Sequence, residues 1–419
     1  MNKLTLYKCV FTSVLLCLIM FGKGQPKTDD WLKQLLYSNA SDTLKLILSQ
    51  PDTFQYQLIY TRIDRDRKGR PHFKNYFLNV DRNRYFNPAS TVKMPIAFLA
   101  LEKLNSLTKY GIDKSTSMLT DSAYSKQSKV VRDTSAGNGI PSVAQYIKKI
   151  FLVSDNDAYN RLYEFLGQQF INEQLWEKGY NDIRITRRFV PMNADENKHA
   201  NPVDFVKDDK VIYHQPAVYS QIQFKFPDKI LIGKEHYDSN DSLVNTPMDF
   251  TTHNNLPLED LQQILQSVIF PESVPKKKRF NLTSDDYKFL YQHMSELPRE
   301  SKFPSYDTTE YFDSYTKFFW FKAGKQKLPS YIRSFNKPGW SYGFLTDAAY
   351  IVDFKHNVEF IISGVIYVNK DGILNDDKYE YEETGYPFFR EVGQAIYQYE
   401  LKRERKHLPD LSRFEMEYH

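Results

Sequence analysis

The stretch Tyr85-Phe-Asn-Pro-Ala-Ser-Thr-Val-Lys-Met-Pro95 runs directly into the apolar segment Ile96–Leu104. Asn87-Pro88 marks a turn, and the run behind it predicts a helix that starts near Ala89 or Ser90. Residues three apart on a helix share a face, so Ser90 and Lys93 present a hydroxyl and an amine to the same point. A serine is a weak nucleophile until a base takes its proton, and a partly desolvated lysine can be that base. Ser-x-x-Lys is also a common pattern. A helix-capping serine beside a surface lysine would read the same way, so the weight of this segment depends on what lies around it.

Upstream, Trp31, Leu32, Leu35, Leu36, Leu44, Leu46 and Ile47 recur at helical steps, broken at Asn39-Ala40-Ser41. Two strands are predicted next, at residues 54–63 and 72–80, joined by the charged turn Asp64–Pro71 into a hairpin. Downstream, residues 143–165 are helical with an interruption at Ser154-Asp155-Asn156, residues 185–260 are loop-rich, and residues 256–269 form another helix. Two strands, 348–354 and 358–368, and a helix from about 388 to 406 close the chain. Strands thus lie at both ends and helices between them. The expected class is α+β: an antiparallel sheet built from N- and C-terminal strands, flanked by helices, with an inserted helical lobe.

Two further segments carry polar chemistry. Ser154-Asp155-Asn156 places a hydroxyl and a carboxamide at a helix break, where they can relay a proton and hold an amide; all three residues are also good helix caps. Lys337-Pro338-Gly339-Trp340-Ser341 stands just ahead of the C-terminal strands. A cation there suits a carboxylate, and Gly339 admits close approach to the backbone. The N–H groups of Trp340 and Ser90 are placed to form an oxyanion hole. A simple Pro-Gly turn is the competing reading.

Taken in order, the three segments resemble the motifs of the serine β-lactamases and penicillin-binding proteins, class A most closely. The resemblance implies that Ser90 attacks an acyl carbonyl with Lys93 as base. Ser154 passes a proton to the leaving nitrogen. Asn156, Lys337, Gly339, Trp340 and Ser341 bind or support the substrate. It implies a β-lactam or related amide, or a cell-wall peptide, as substrate, with a D-alanyl peptidase or esterase and a non-catalytic envelope-binding protein as alternatives. Two positions depart from the pattern. Val190, in Arg188-Phe-Val-Pro-Met-Asn193, stands where class A enzymes carry the glutamate that activates the deacylating water, and valine cannot be a base. Asp195 and Glu196 are near enough in sequence to be considered as substitutes. Pro338 replaces a threonine whose hydroxyl helps bind the substrate carboxylate; Ser341 offers another hydroxyl.

Composition frames these readings. The chain has 419 residues, with a 15% aromatic share. Residues 1–24 read as a signal peptide: Lys3 and Lys8 precede the apolar run Val10–Phe21, and Gly22-Lys23-Gly24 follows. An uncleaved anchor is the alternative. Without the leader the formal charge falls from +4 to +1, which gives no footing for nucleic acid. Cys9 and Cys17, the two cysteines, both lie in the leader, so an exported, periplasmic chain without disulfides is expected. The nine histidines show no metal-ligand spacing, and neither a metal nor a cofactor is expected. The remaining chain, 25–410, is read as a single hydrolase domain with an insertion at about 200–330.

Overall fold

The computed structural model describes residues 26–38, 40–319, 324–325 and 327–418. The leader, with both cysteines, lies outside the described residues. Among the described residues no helix is long and apolar enough to cross a membrane.

The centre is a five-stranded antiparallel sheet. Its strands are β1 (Gln57–Arg65), β2 (Pro71–Leu78), β3 (Ile332–Ser341), β4 (Phe344–Asp353) and β5 (Val358–Tyr367), in the order β3-β4-β5-β1-β2. The N-terminal hairpin joins the C-terminal strands through β1 and β5, in the register Leu58↔Gly364 to Arg62↔Phe360. Every residue of β5 is buried. Its side chains alternate between two cores: Ile361 and Val365 face one, Phe360, Ile362 and Ile366 the other. A strand covered on both faces reads as a near-continuous apolar run, and Val358–Tyr367 is one, polar only at the buried Glu359 and Ser363.

One core is closed by the helices Asp30–Ser38, Asp42–Ser49 and Tyr386–Lys402. The other is closed by the long lobe between β2 and β3, with helices Lys93–Ser106, Val143–Val153, Asn156–Leu166, Leu258–Ile269 and Ser284–Ser295. The α+β class and the helical lobe between the two halves of the sheet are therefore present. Residues 199–249 contribute short paired strands rather than plain loop, for example Val203–Lys207 against Lys210–Gln215.

The segment 332–341 departs from a turn reading. Lys337-Pro338-Gly339 lies inside the ten-residue strand β3. It is the edge strand of the sheet, where a residue without an N–H can face away from the ladder. The turn comes later, at Tyr342-Gly343, with φ values of 52° and 80°. Two successive positive φ angles between paired Ser341 and Phe344 match the twist of a tight hairpin.

Candidate active site

Ala89–Val92 forms a 3-10 turn that leads into the helix from Lys93. In a 3-10 turn residues i and i+3 eclipse, so Ser90 and Lys93 share one side. Ala89 holds a φ of 44°, a left-handed conformation that costs an alanine about 1–2 kcal/mol. That turn is held by Thr91 Oγ1, which donates to the Pro88 carbonyl at 2.6 Å, and by Asn87 Oδ1, which accepts from the Ala89 N–H at 3.0 Å.

Lys93 is fully buried. Its ammonium donates to the Ser154 carbonyl at 2.5 Å and to Asn156 Oδ1 at 2.6 Å. The Phe189 ring lies 5.0 Å from the nitrogen. Burial pushes Lys93 down to about 7, against the pull of Asp155. A sizeable fraction of free amine is then present near neutrality.

Each residue of the second motif has its own local task. Ser154 ends its helix in the left-handed conformation, φ 62°, with its N–H on the Ile150 carbonyl. Asp155 caps the next helix by accepting from the Ala158 N–H at 2.8 Å. Asn156, the first residue of that helix, reaches Lys93. The capping and the chemical readings of this motif are both satisfied, by different residues.

The third motif approaches from the sheet. Lys337 has no exposed surface, and its ammonium donates to Ser154 Oγ at 2.8 Å and to the Pro338 carbonyl at 2.7 Å. Burial, followed by the neighbouring Lys93 charge, holds its pKa well below the usual lysine value. Lys337 is thus enclosed behind the cleft wall and has no open face for a substrate carboxylate. Gly339 also stands behind the wall: a Cβ there would lie 2.7 Å from the Pro88 carbonyl oxygen and 2.7 Å from the Ser90 nitrogen. Only glycine lets β3 reach the Ser90 turn.

A cleft of about 460 Å³ opens over Ser90. Asn156, Trp340 and Ser341 line it, as do Val190 and Pro191. The structure therefore brings together the eight residues singled out in the sequence: Ser90, Asn156, Trp340 and Ser341 on the cleft, and Lys93, Ser154, Lys337 and Gly339 behind it. Among the described residues that line the cleft there is no Asp or Glu. Asp195 and Glu196 do not take the place of the missing glutamate. Asp195 accepts from Tyr124 Oη at 2.9 Å, and Glu196 accepts from the Asn193 N–H at 2.8 Å and from Lys126 at 3.2 Å. Their carboxylates are committed to holding the loop, and neither residue lines the cleft.

Sequence reasoning missed several groups. Arg187, His253 and Tyr342 all line the cleft. Arg187 Nη1 lies 3.1 Å from His253 Nε2. Burial, with Arg187 alongside, lowers His253 to about 3, so the ring is neutral and accepts from the guanidinium. Both Arg187 and Arg188 line the cleft, but the sequence does not show how they differ: the Arg188 side chain is fully buried against Glu164 at 3.3 Å, whereas Arg187 is only half-buried. Beneath the site, Asn336 donates to Asp347 at 2.9 Å and accepts from Lys317 at 2.9 Å. Two buried lysines, 317 and 337, therefore lie around one buried carboxylate, Asp347, which burial pushes up to about 6.

Residues 45–223 match the family model described as the Beta-lactamase enzyme family. That span includes Ser90–Lys93 and Ser154–Asn156 and ends before Lys337. The match, the sheet and the three meeting motifs define the class: a β-lactamase-like serine enzyme fold. Among solved structures the chain is similar to the TLA-3 extended-spectrum β-lactamase, at 15% identity over 87% of this chain and 100% of that one, with a TM-score of 0.48. It is similar to a β-lactamase from Xanthomonas campestris pv. campestris at 12% identity over 88% and 97%, TM-score 0.47. A mutant of PBP-A, solved as its acyl-enzyme complex with penicillin G, is similar at 16% identity over 88% and 96%, TM-score 0.47. No curated protein matches the chain in sequence. Among the described residues no group of three or more His, Cys, Asp or Glu is arranged to hold a metal ion.

Proposed function

We propose that the protein is an exported, periplasmic serine hydrolase that forms an acyl-enzyme at Ser90 with β-lactams or a related amide. The observation that carries this reading is Lys93: a buried amine lowered to about 7, on the same side of the turn as Ser90. Lys93 takes the Ser90 Oγ proton as Oγ attacks the acyl carbonyl carbon. The N–H groups of Ser90 and Trp340 donate to the oxyanion. As the carbon–nitrogen bond breaks, Ser154 Oγ delivers a proton to the leaving nitrogen and is resupplied through Lys337, 2.8 Å away. Asn156 holds Lys93 and faces the cleft, where it can bind the substrate amide.

The acyl-enzyme is an ester that water must cleave, and the residues lining the cleft include no carboxylate to take the water's proton. This favours acylation followed by slow release, the behaviour of a penicillin-binding peptidase or esterase of the same fold, over rapid β-lactam hydrolysis. Mass spectrometry after a penicillin pulse tests both steps. The native chain should carry a persistent adduct that Ser90→Ala lacks. An unmodified native chain that also fails to hydrolyse the drug would overturn the reading.

A further inference from the structure

Arg187 stands on a wall shared by two cavities. One is the Ser90 cleft; the other, of about 350 Å³, lies between the turn Met192–Lys198 and the segment Ile222–Phe226. Arg187 and Met192 line both. Among the described residues, no Asp or Glu lines either cavity. The Arg187 guanidinium bonds neutral His253, and the ionisable side chains with most influence on it are tyrosines, which carry no charge near neutrality. Its sequence neighbour Arg188 has Glu164, and Arg184 has Asp182 acting on it. A half-buried guanidinium without a counter-charge is costly by itself and is relieved when a ligand brings an anion.

The second cavity has an aromatic wall. Phe224 meets Trp176 edge-on at 6.2 Å and Phe226 at 5.7 Å, and Phe226 keeps 40% of its surface exposed. Such rings in a row offer faces and edges to another aromatic group.

We propose that this cavity is a second substrate subsite, which takes a molecule bearing a carboxylate on Arg187 and an aromatic group against Phe224 and Phe226. The proposal deepens the acyl-serine reading by naming the substrate: an amide or ester with an anionic, aromatic arm that extends from Ser90 past Arg187. Residues 222–226, outside the three motifs, thereby select the substrate.

The test uses three unreactive probes on the full chain carrying Ser90→Ala: N-acetyl-L-phenylalanine, N-acetyl-L-alanine and N-acetyl-L-phenylalaninamide, with binding read by calorimetry. The first should bind about tenfold more tightly than either of the others, one missing the ring and one the charge. Added to that chain, Arg187→Gln should erase the preference for carboxylate over amide while Arg187→Lys keeps part of it. Phe224→Ala should erase only the preference for phenylalanine over alanine. Equal affinities, preferences untouched by the substitutions, or no binding by any probe would each overturn the subsite. Ser90 acylation plays no part in these measurements, so failure of the penicillin pulse removes the catalytic reading alone, and failure here removes the subsite alone.

Discussion

Gly339 and Ser90 are packed backbone to backbone: a Cβ at residue 339 would sit 2.7 Å from the Ser90 nitrogen. The edge strand thereby sets the position of the N–H of Ser90, the proposed nucleophile and one of the two donors proposed for the oxyanion. Gly339→Ala must push the turn and the strand apart. A displacement of this kind near reacting atoms costs on the order of 100-fold in rate. The expected outcome is such a loss in the rate of penicillin labelling at Ser90, with the fold retained by circular dichroism. Labelling within twofold of native would show that the approach of β3 does not position the nucleophile.

The pH dependence follows from Lys93. With Lys93 as the proposed base, free amine is the working form, so the labelling rate should rise as pH increases and level off above an apparent pKa near 7. Because Lys337 is coupled to Lys93, the midpoint belongs to the pair. The stability consequence has a definite sign. Lys93 binds its proton less tightly in the folded chain than in the unfolded one, so between about pH 7 and 10.5 the unfolded state holds more protons. Stability should therefore increase with pH across that window as the burial penalty is relieved. Urea midpoints and labelling rates from pH 6 to 10 check both; a flat labelling profile, or one centred near 10, contradicts the role of Lys93.

Val190 is 43% exposed and lines the cleft beside Phe189. Val190→Glu places a carboxylate on the cleft wall, where the water that attacks the acyl ester has to be activated. General-base assistance is typically worth 100-fold or more. Allowing for imperfect placement, the adduct lifetime should shorten at least about tenfold, with the labelling rate nearly unchanged. The time course of intact mass after a penicillin pulse reads this directly. An adduct equally long-lived in the variant would place the slow step elsewhere.

Asp347 accepts from Asn336 and from the Phe318 N–H, and it opposes the charges of Lys317 and Lys337. Asp347→Ala leaves those donors unanswered in a dry interior. The expected loss is about 3 kcal/mol by urea unfolding at pH 7. A loss below about 1 kcal/mol would mean that the buried lysines around it are uncharged in the folded chain.

The sheet was legible because its pattern is local. β5 is a mostly apolar run, and β1 and β2 flank a charged turn. β3 was harder to see, since its Pro-Gly pair is a turn signal almost everywhere except on an edge strand. The short strands of residues 199–249 also escaped notice: two to six residues long, they depend on each other's hydrogen bonds rather than on any periodicity of their own.

The sequence by itself determined which residues had to meet. Ser90 and Lys93 are three apart on one turn, so their alignment is a matter of local geometry. Ser154 and Asp155 cap the two helices at a break and Asn156 opens the second, and their types sufficed to mark that break. Tertiary structure alone decided what those groups became. Lys93 is lowered because the whole lobe closes over it, and Lys337 is hidden because β3 carries it behind Ser154. Arg187 faces a cavity, and Arg188 a glutamate, only because the loop is pinned at Asn160, Asn197 and Asn254. Charge, solvent and distance are properties of the packed neighbourhood, and residues far apart in the chain supply that neighbourhood.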